Sequence, residues 1–275
     1  MLEALEFEFF QHAMIAGVLS AVLCGIIGVL VVVNRIVFIS AGTAHAAYGG
    51  IGLAFYLGWP ILWTTMGFSM VATVIMAWVI RHRKHRADSI IGVLWAGGMA
   101  LGIILTDLTP GYHPDLMSYL FGSILAIPVE ELYYILGMDI FVTFIMLFYY
   151  REFVSFSYDE EFSRVRGVPV DWLYLLLLLM ISLSVVLLIR VVGLIMIIAL
   201  LTIPPLIVEP YAKSMGRMML GATGLSVIFA IGGLWLSYSL DISAGASIIA
   251  VAVAGYGISF LMQIMRRGGK NVSVL

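Results

Sequence analysis

The sequence predicts an all-α fold, a polytopic transmembrane helical bundle of about eight or nine spans. Three observations predict it. Of 275 residues, 63% are hydrophobic and only 11% carry a charge, for a mean hydropathy of +1.11. The apolar runs last about 20 residues, the number a helix rising about 1.5 Å per residue needs to cross a bilayer core. The basic residues gather in alternate loops, as they do when one side of a membrane retains them. A soluble domain of this length would need a polar shell that the composition does not supply.

The elements follow in chain order. Residues 1–13 hold Glu3, Glu6 and Glu8 but no Lys or Arg. They lack the positive start of a cleaved signal peptide and read as an amino-terminal interfacial segment. Residues 14–265 form a single membrane domain. Charge clusters and Gly/Pro punctuation cut it into spans near 14–34, 42–58, 61–80, 90–107, 131–150, 172–189, 191–208, 218–238 and 245–265. The count of eight or nine turns on 42–58, rich in Gly and Ala, and on 191–208, which follows its neighbour with almost no loop. Residues 266–275 are a cytoplasmic tail. The lone Cys24 excludes an internal disulfide and a cysteine-built metal centre, and reads as a small buried hydrophobe.

Orientation comes from Lys and Arg. Arg81, Arg83, Lys84 and Arg86 share one loop, Arg151, Arg164 and Arg166 the next on that side, Lys213 and Arg217 another, and Arg266, Arg267 and Lys270 the tail. Twelve of the fourteen basic residues thus share one face, which the positive-inside rule makes cytoplasmic. Arg35 fits the same face if the first span runs inward, and Arg190 is read as snorkelling at the outer interface. The count favours an outside amino terminus, an inside carboxyl terminus and nine crossings of the cell inner (plasma) membrane.

Three segments carry chemistry. SAGTAHAAYGG, Ser40 to Gly50, places His45 in a helix of small residues, with Gly42, Ala46 and Gly49 along one stripe where helices approach closely. An intramembrane histidine is either a pathway residue or a core group satisfied by a neighbouring carbonyl or hydroxyl, and the residue alone leaves both open. The outer segment from Asp107 to Glu131 is too long for a tight turn and too apolar for a solvated loop. Its Asp107, His113 and Asp115 either meet an incoming cation or docking protein, or are ordinary solvated residues. The cytoplasmic segment 157–167 reads as a short capped helix. Ser157 and Glu160 form a capping box, Asp159, Glu160 and Glu161 load the first turn, Arg164 and Arg166 the last, and Gly167 ends it before Pro169. Phe162 and Val165 project to one side. Such a helix is either a lid over the bundle or a lever for a second protein.

The chain lacks a Gly-x-x-x-x-Gly-Lys-Ser/Thr phosphate loop, His-Glu-x-x-His and Gly-x-Ser-x-Gly. It is therefore expected to be no enzyme, to bind no cofactor and to hydrolyse no nucleotide by itself. Any motor must be another subunit or an ion gradient.

At these residues the sequence resembles the permease subunits of the zinc/manganese/iron ABC importers, the ABC-3 family, from about Ala16 to Phe260. VVVNRIVFISAGTAHAAYGGIGLAF (Val31 to Phe55) is similar to the family segment containing Gly-Asp-Ala-Leu-Ser-His-Ala. DLMSYLFGSILAI (Asp115 to Ile127), VVGLIMIIALLTIPP (Val191 to Pro205) and GLWLSYSLDISAGASI (Gly233 to Ile248) match three further family segments, in the family's order. The resemblance implies a homodimeric permease for a divalent transition metal (zinc, manganese or iron), with His45 on the metal's path. Its implied partners are two cytoplasmic ATPase subunits that use ATP, an extracytoplasmic solute-binding protein, a second copy of the chain and membrane lipid, and no nucleic acid. It also makes 157–167 a coupling helix, with Glu160, Glu161, Phe162, Arg164, Val165 and Gly167 facing the ATPase. Two family carboxylates are replaced here: the Asp one turn before the His falls at Ala41, and the Asp of Phe-Gly-Asp at Ser123. The alternatives are an importer of a metal complex and a secondary transporter of a small solute. The latter would need an intramembrane carboxylate, and none is expected within the spans.

Overall fold

The structure is a computed structural model that describes residues 7–82, 87–110, 122, 124 and 127–271. Among these residues there is no strand. The helices are α1 (Glu8–Val33), α2 (Val37–Leu57), α3 (Ile61–His82), α4 (Ala87–Asp107), α5 (Val129–Phe148), α6 (Tyr150–Tyr158), α7 (Glu160–Val165), α8 (Val170–Val192), α9 (Leu194–Val208), α10 (Met215–Leu240) and α11 (Ala244–Asn271). A short 3-10 turn, Glu209–Tyr211, extends α9. The positions read as an interfacial segment are, from Glu8 onward, the first turns of α1, and α11 carries helix into the tail as far as Asn271.

Among the described residues, eight helices are long and apolar enough to cross a membrane. The ninth long helix, α2, falls short on hydropathy rather than on length. Its 21 residues span about 31 Å, but Gly, Ala, Ser, Thr and His replace the Leu and Val of its neighbours. Those residues are buried, so the middle of α2 has no need of lipid-like side chains, and only its ends, at Phe38, Tyr56 and Leu57, are exposed.

Contacts at the helix ends fix the directions. Asn34, just past α1, donates from Nδ2 to Ser157 Oγ at 3.0 Å. Arg81 at the end of α3 pairs with Asp171 at the start of α8 at 2.6 Å. Helices α1 and α3 therefore finish at one face, and α2 must run back across between them. Tyr150 Oη accepts from the Gly216 amide at 2.9 Å and brings the start of α10 to that face. At the other face Glu131, at the start of α5, pairs with Arg190, at the end of α8, at 2.7 Å. With α2 counted, the described residues make nine crossings. The outlying Arg190 is held by a carboxylate rather than by lipid headgroups alone.

α1 and α8 form the buried centre, while α4 and α11 turn most of their surface outward. Val93 and Ile104 on α4, and Val253 and Leu261 on α11, are exposed apolar groups of the kind that lipid covers. Within α9, Pro204 and Pro205 sit side by side inside the helix.

In the cytoplasmic segment the cap differs from expectation. Ser157 lies in α6, where its Oγ receives the Asn34 amide. The cap of α7 is Asp159, whose Oδ1 accepts from the Phe162 amide at 2.8 Å. The start of the helix thus moves from 157 to Glu160. Gly167 ends the segment in the left-handed region, φ +79°, as a glycine after a helix commonly does.

Candidate translocation and coupling sites

His45 sits at the middle of α2 because glycines on both sides let α2 and α4 touch backbone to backbone. A Cβ at Gly98 of α4 would stand 2.7 Å from Ala46 Cα, and one at Gly102 would overlap the Tyr48 carbonyl. The stripe read from the sequence does face this contact: Gly42 packs on Ile91, and Gly49 on Phe68 and the Gly98 carbonyl. That approach brings Trp95 of α4 over the imidazole, with ring centroids 3.8 Å apart and planes inclined by 31°. Phe38 flanks the same indole at 6.0 Å.

The imidazole is 9% exposed. Its Nδ1 lies 2.8 Å from the carbonyl oxygen of Ala41, one turn earlier. A carbonyl can only accept, so Nδ1 carries a proton, and whenever the ring is neutral Nε2 presents its lone pair. This is the arrangement in which a histidine is oriented as a ligand, the second nitrogen being tied to an acceptor. A neighbouring carbonyl thus satisfies one ring nitrogen, as the core reading of His45 expects. Ala41 lies one turn away with its methyl slightly exposed. Among the described residues no three His, Cys, Asp or Glu side chains converge to hold a metal.

Helix α7 is held from behind and bare in front. Ser163, buried on its inner side, bonds the Asp159 carbonyl at 2.8 Å and the Ser155 hydroxyl at 2.7 Å. Arg164 reaches Glu160 at 2.8 Å and Asp171 at 2.7 Å, and Asp171 also receives Arg81. The hydrogen bonds it donates to Asp171 and then to Glu160 hold the Arg164 guanidinium above its already high range. The network ties α7 to the ends of α8 and α3. Outward, Phe162 is 51% and Val165 87% exposed, and Arg166 lies 4.7 Å above the Phe162 ring. Apolar side chains this bare on a helix outside the spans are an unmet contact surface. Glu160 and Glu161 are exposed beside them.

His113, Asp115 and Ser123 lie outside the described residues. Asp107 closes α4 and is exposed. Gly122 packs its backbone on Val192 and Gly193 so closely that a Cβ would overlap them, which joins two of the sequence segments singled out above at the outer end of α8.

Two residues escaped the sequence reading. Trp95 is one, since nothing in the spacing of α4 says which ring it will meet. Asp139 is the other and corrects an expectation, because it is a carboxylate inside a span. It is 6% exposed at the centre of the α5 seam Leu132, Ile135, Asp139, Val142 and Met146. The signal was present: Asp139 is the sole charged residue between Glu131 and Arg151.

The family model described as the ABC 3 transport family matches residues 6–263. An uncharacterized membrane protein of Synechocystis sp. is 48% identical over 263 residues, which are 96% of this chain and 94% of that protein. The manganese transport system membrane protein MntC of Halalkalibacterium halodurans is 28% identical over 261 residues, 95% of this chain and 89% of that one. The solved PsaBC of Streptococcus pneumoniae, in complex with a Fab, superposes with a TM-score of 0.85 at 26% identity, covering 94% of this chain and 95% of that one. With a helical bundle of matching extent on the page, the chain belongs to the ABC 3 transport family, as a membrane-spanning permease.

Proposed function

We propose that the chain is the permease of an ATP-driven importer for a divalent transition metal, manganese first and zinc or iron next. Two copies line the translocation pathway, each contributing His45. The observation that carries this reading is the pinned imidazole of α2. Its Nε2 is a borderline donor suited to Mn²⁺, Fe²⁺ or Zn²⁺, and an imidazole from each chain holds an ion loosely enough to pass it on. The MntC relative is by name a manganese transport protein, which supports the choice of metal. The bare Phe162 and Val165 edge of α7 supports a cytoplasmic ATPase as partner, with ATP used there and none bound by this chain. An extracytoplasmic binding protein delivers the ion to the outer segment that holds His113 and Asp115.

Asp139 favours a second reading, a secondary transporter driven by an ion gradient. One experiment separates the two. The permease is reconstituted in vesicles with its ATPase, and uptake of radiolabelled Mn²⁺, Zn²⁺ and Fe²⁺ is followed with and without ATP. Uptake that needs ATP and prefers Mn²⁺ supports the importer; uptake driven by a proton or sodium gradient without ATP supports the alternative.

A further inference from the structure

Asp139 lies where a helix of this kind carries an apolar side chain. Its four seam neighbours on α5 are Leu132, Ile135, Val142 and Met146, all buried, and α5 packs this face on α1 and α8. Neither carboxyl oxygen has a hydrogen-bond partner. Cys24 of α1 is within electrostatic reach of the carboxyl. Ser20, one turn from Cys24 on the same face of α1, is fully buried and its hydroxyl is unpartnered.

The ion pair of Glu131 with Arg190 sets the depth of α5 against α8. These helices run antiparallel, so eight residues inward from the pair, about 12 Å, lies Asp139 on one helix and Ser182 on the other. Ser182 is likewise buried and unpartnered. Some helical hydroxyls of this bundle satisfy themselves on the carbonyl one turn back, as Thr43, Thr202 and Ser247 do, while others, Ser69, Ser184 and Ser226 among them, have no partner. Ser20 and Ser182 are of the second kind, and their hydroxyls remain available at the depth of the carboxyl.

No described cation faces Asp139. On α1 the facing titratable group is the Cys24 thiol, while Glu8 and His12 lie at the outer end and Arg35 beyond the inner end. The charged residues of α8, Asp171 and Arg190, are at its two ends and already paired. On α5, Glu130 and Glu131 are at the outer end, and Arg151 and Glu152 of α6 lie past the inner one. An ionised carboxylate in such a seam faces no described cation, and its oxygens are closed to bulk solvent and receive no hydrogen bond from a described donor. A protonated one is neutral and carries its own O–H donor, which hydroxyls that can both give and accept are suited to meet.

We propose that Asp139 is an intramembrane proton-binding site, separate from the His45 pathway, which holds a proton on its carboxyl while the α1–α5–α8 seam is closed. Binding forms an O–H bond between a carboxylate oxygen and a proton taken from water, and release returns the proton to water. Release leaves a bare charge in the seam and loosens it, so α5 is packed most firmly when Asp139 is protonated. The proposal stands whether the cycle is driven by ATP or by a gradient.

The test uses the full-length permease in lipid nanodiscs. Infrared spectroscopy in H₂O and D₂O at neutral pH should show the carbonyl stretch of a protonated carboxyl, which Asp139→Asn removes. The thermal midpoint of the native chain should fall on going to alkaline pH by more than that of the Asn variant. Exchange of sodium for choline at constant pH should leave the native midpoint unchanged. If the Asn variant does not fold, Asp139→Glu should displace the carboxyl band instead. The proposal is overturned if the native chain shows no such band, if the band survives Asp139→Asn or keeps its position in Asp139→Glu, if the midpoints of native and Asn chains follow pH alike, or if sodium sets the midpoint and so occupies the site.

Discussion

Replacing Gly98 with alanine should weaken the bundle, whereas the same change one residue earlier, at Gly97, should not. A methyl at Gly98 would meet the Cα, O and C atoms of Ala46 at 2.7, 3.0 and 3.3 Å, while nothing stands within 4 Å of one at Gly97. The atoms in the way belong to backbone, so no rotamer change relieves the contact and α2 itself must move. Overpacking of a close interface costs about 1–3 kcal/mol, and backbone against backbone belongs at the upper end. Both substitutions gain up to about 1 kcal/mol in helix propensity. The expected net is a loss of about 2 kcal/mol for Gly98→Ala and a gain of up to about 1 kcal/mol for Gly97→Ala. The chain carries its own reporter, because Cys24 is its single cysteine and is fully buried. Heating the purified protein with a thiol-reactive dye gives the unfolding midpoint directly, and the two variants should fall on opposite sides of the parent. Equal midpoints would refute the claim that direct helix contact at Ala46 places Trp95 over His45.

Other perturbations test the two sites. His45→Ala should reduce ATP-dependent metal uptake at least tenfold at unchanged expression, measured with radiolabelled Mn²⁺; full uptake would leave His45 a core residue only. Ala41→Asp puts a carboxylate one turn from the imidazole, and should raise the metal retained by the purified permease after equilibration, read by elemental analysis against the parent. Equal content in a folded variant would mean that position 41 does not face the ion. Changing Phe162 and Arg164 together to Ala should abolish stimulation of the partner ATPase with little change in the thermal midpoint, since both side chains are largely exposed and exposed ion pairs contribute little to stability. Retained stimulation would make α7 a lid.

Much of the fold was legible because lipid imposes a simple rule on sequence: length and hydropathy mark each crossing, and Lys and Arg mark the side. The span ends shifted by a few residues, most at the end of α11 and at the start of α1, whose first turns carry Glu8, Gln11 and His12 and so lack the apolar signature. Gly167 was readable as a helix stop for a local reason, its backbone conformation. The cap was not, since Ser157 and Asp159 stand two residues apart with similar chemistry. Asn34, 123 residues away in sequence, occupies the first and leaves the second to do the capping. His45 announced itself as a polar group among small ones. Its Trp95 neighbour depends on the register of two helices, which Gly98 and Gly102 set in space and which no spacing within α4 expresses. Asp139 was hidden by its surroundings, one acid in an apolar run that otherwise reads as an ordinary crossing.

The paired prolines of α9 bear on how the bundle can bend. Neither Pro204 nor Pro205 has an amide hydrogen, so the carbonyls of Leu200 and Leu201 lose the bonds that would close the ladder there. Thr202 adds to the loosening by drawing its hydroxyl to the Ile198 carbonyl at 2.7 Å. Three rungs of α9 are thus missing or shared, and the Leu201 carbonyl rests against Gly28 of α1, where no side chain intervenes. A rod weakened at one level flexes at that level. The outer part of α9, anchored near Gly193 by the backbone of Gly122, can stay in place while the stretch leading to the 3-10 turn and α10 swings about this joint. Between Gly193 and the 3-10 turn, α9 is therefore least braced by its own backbone bonds at the level of Leu200 and Leu201.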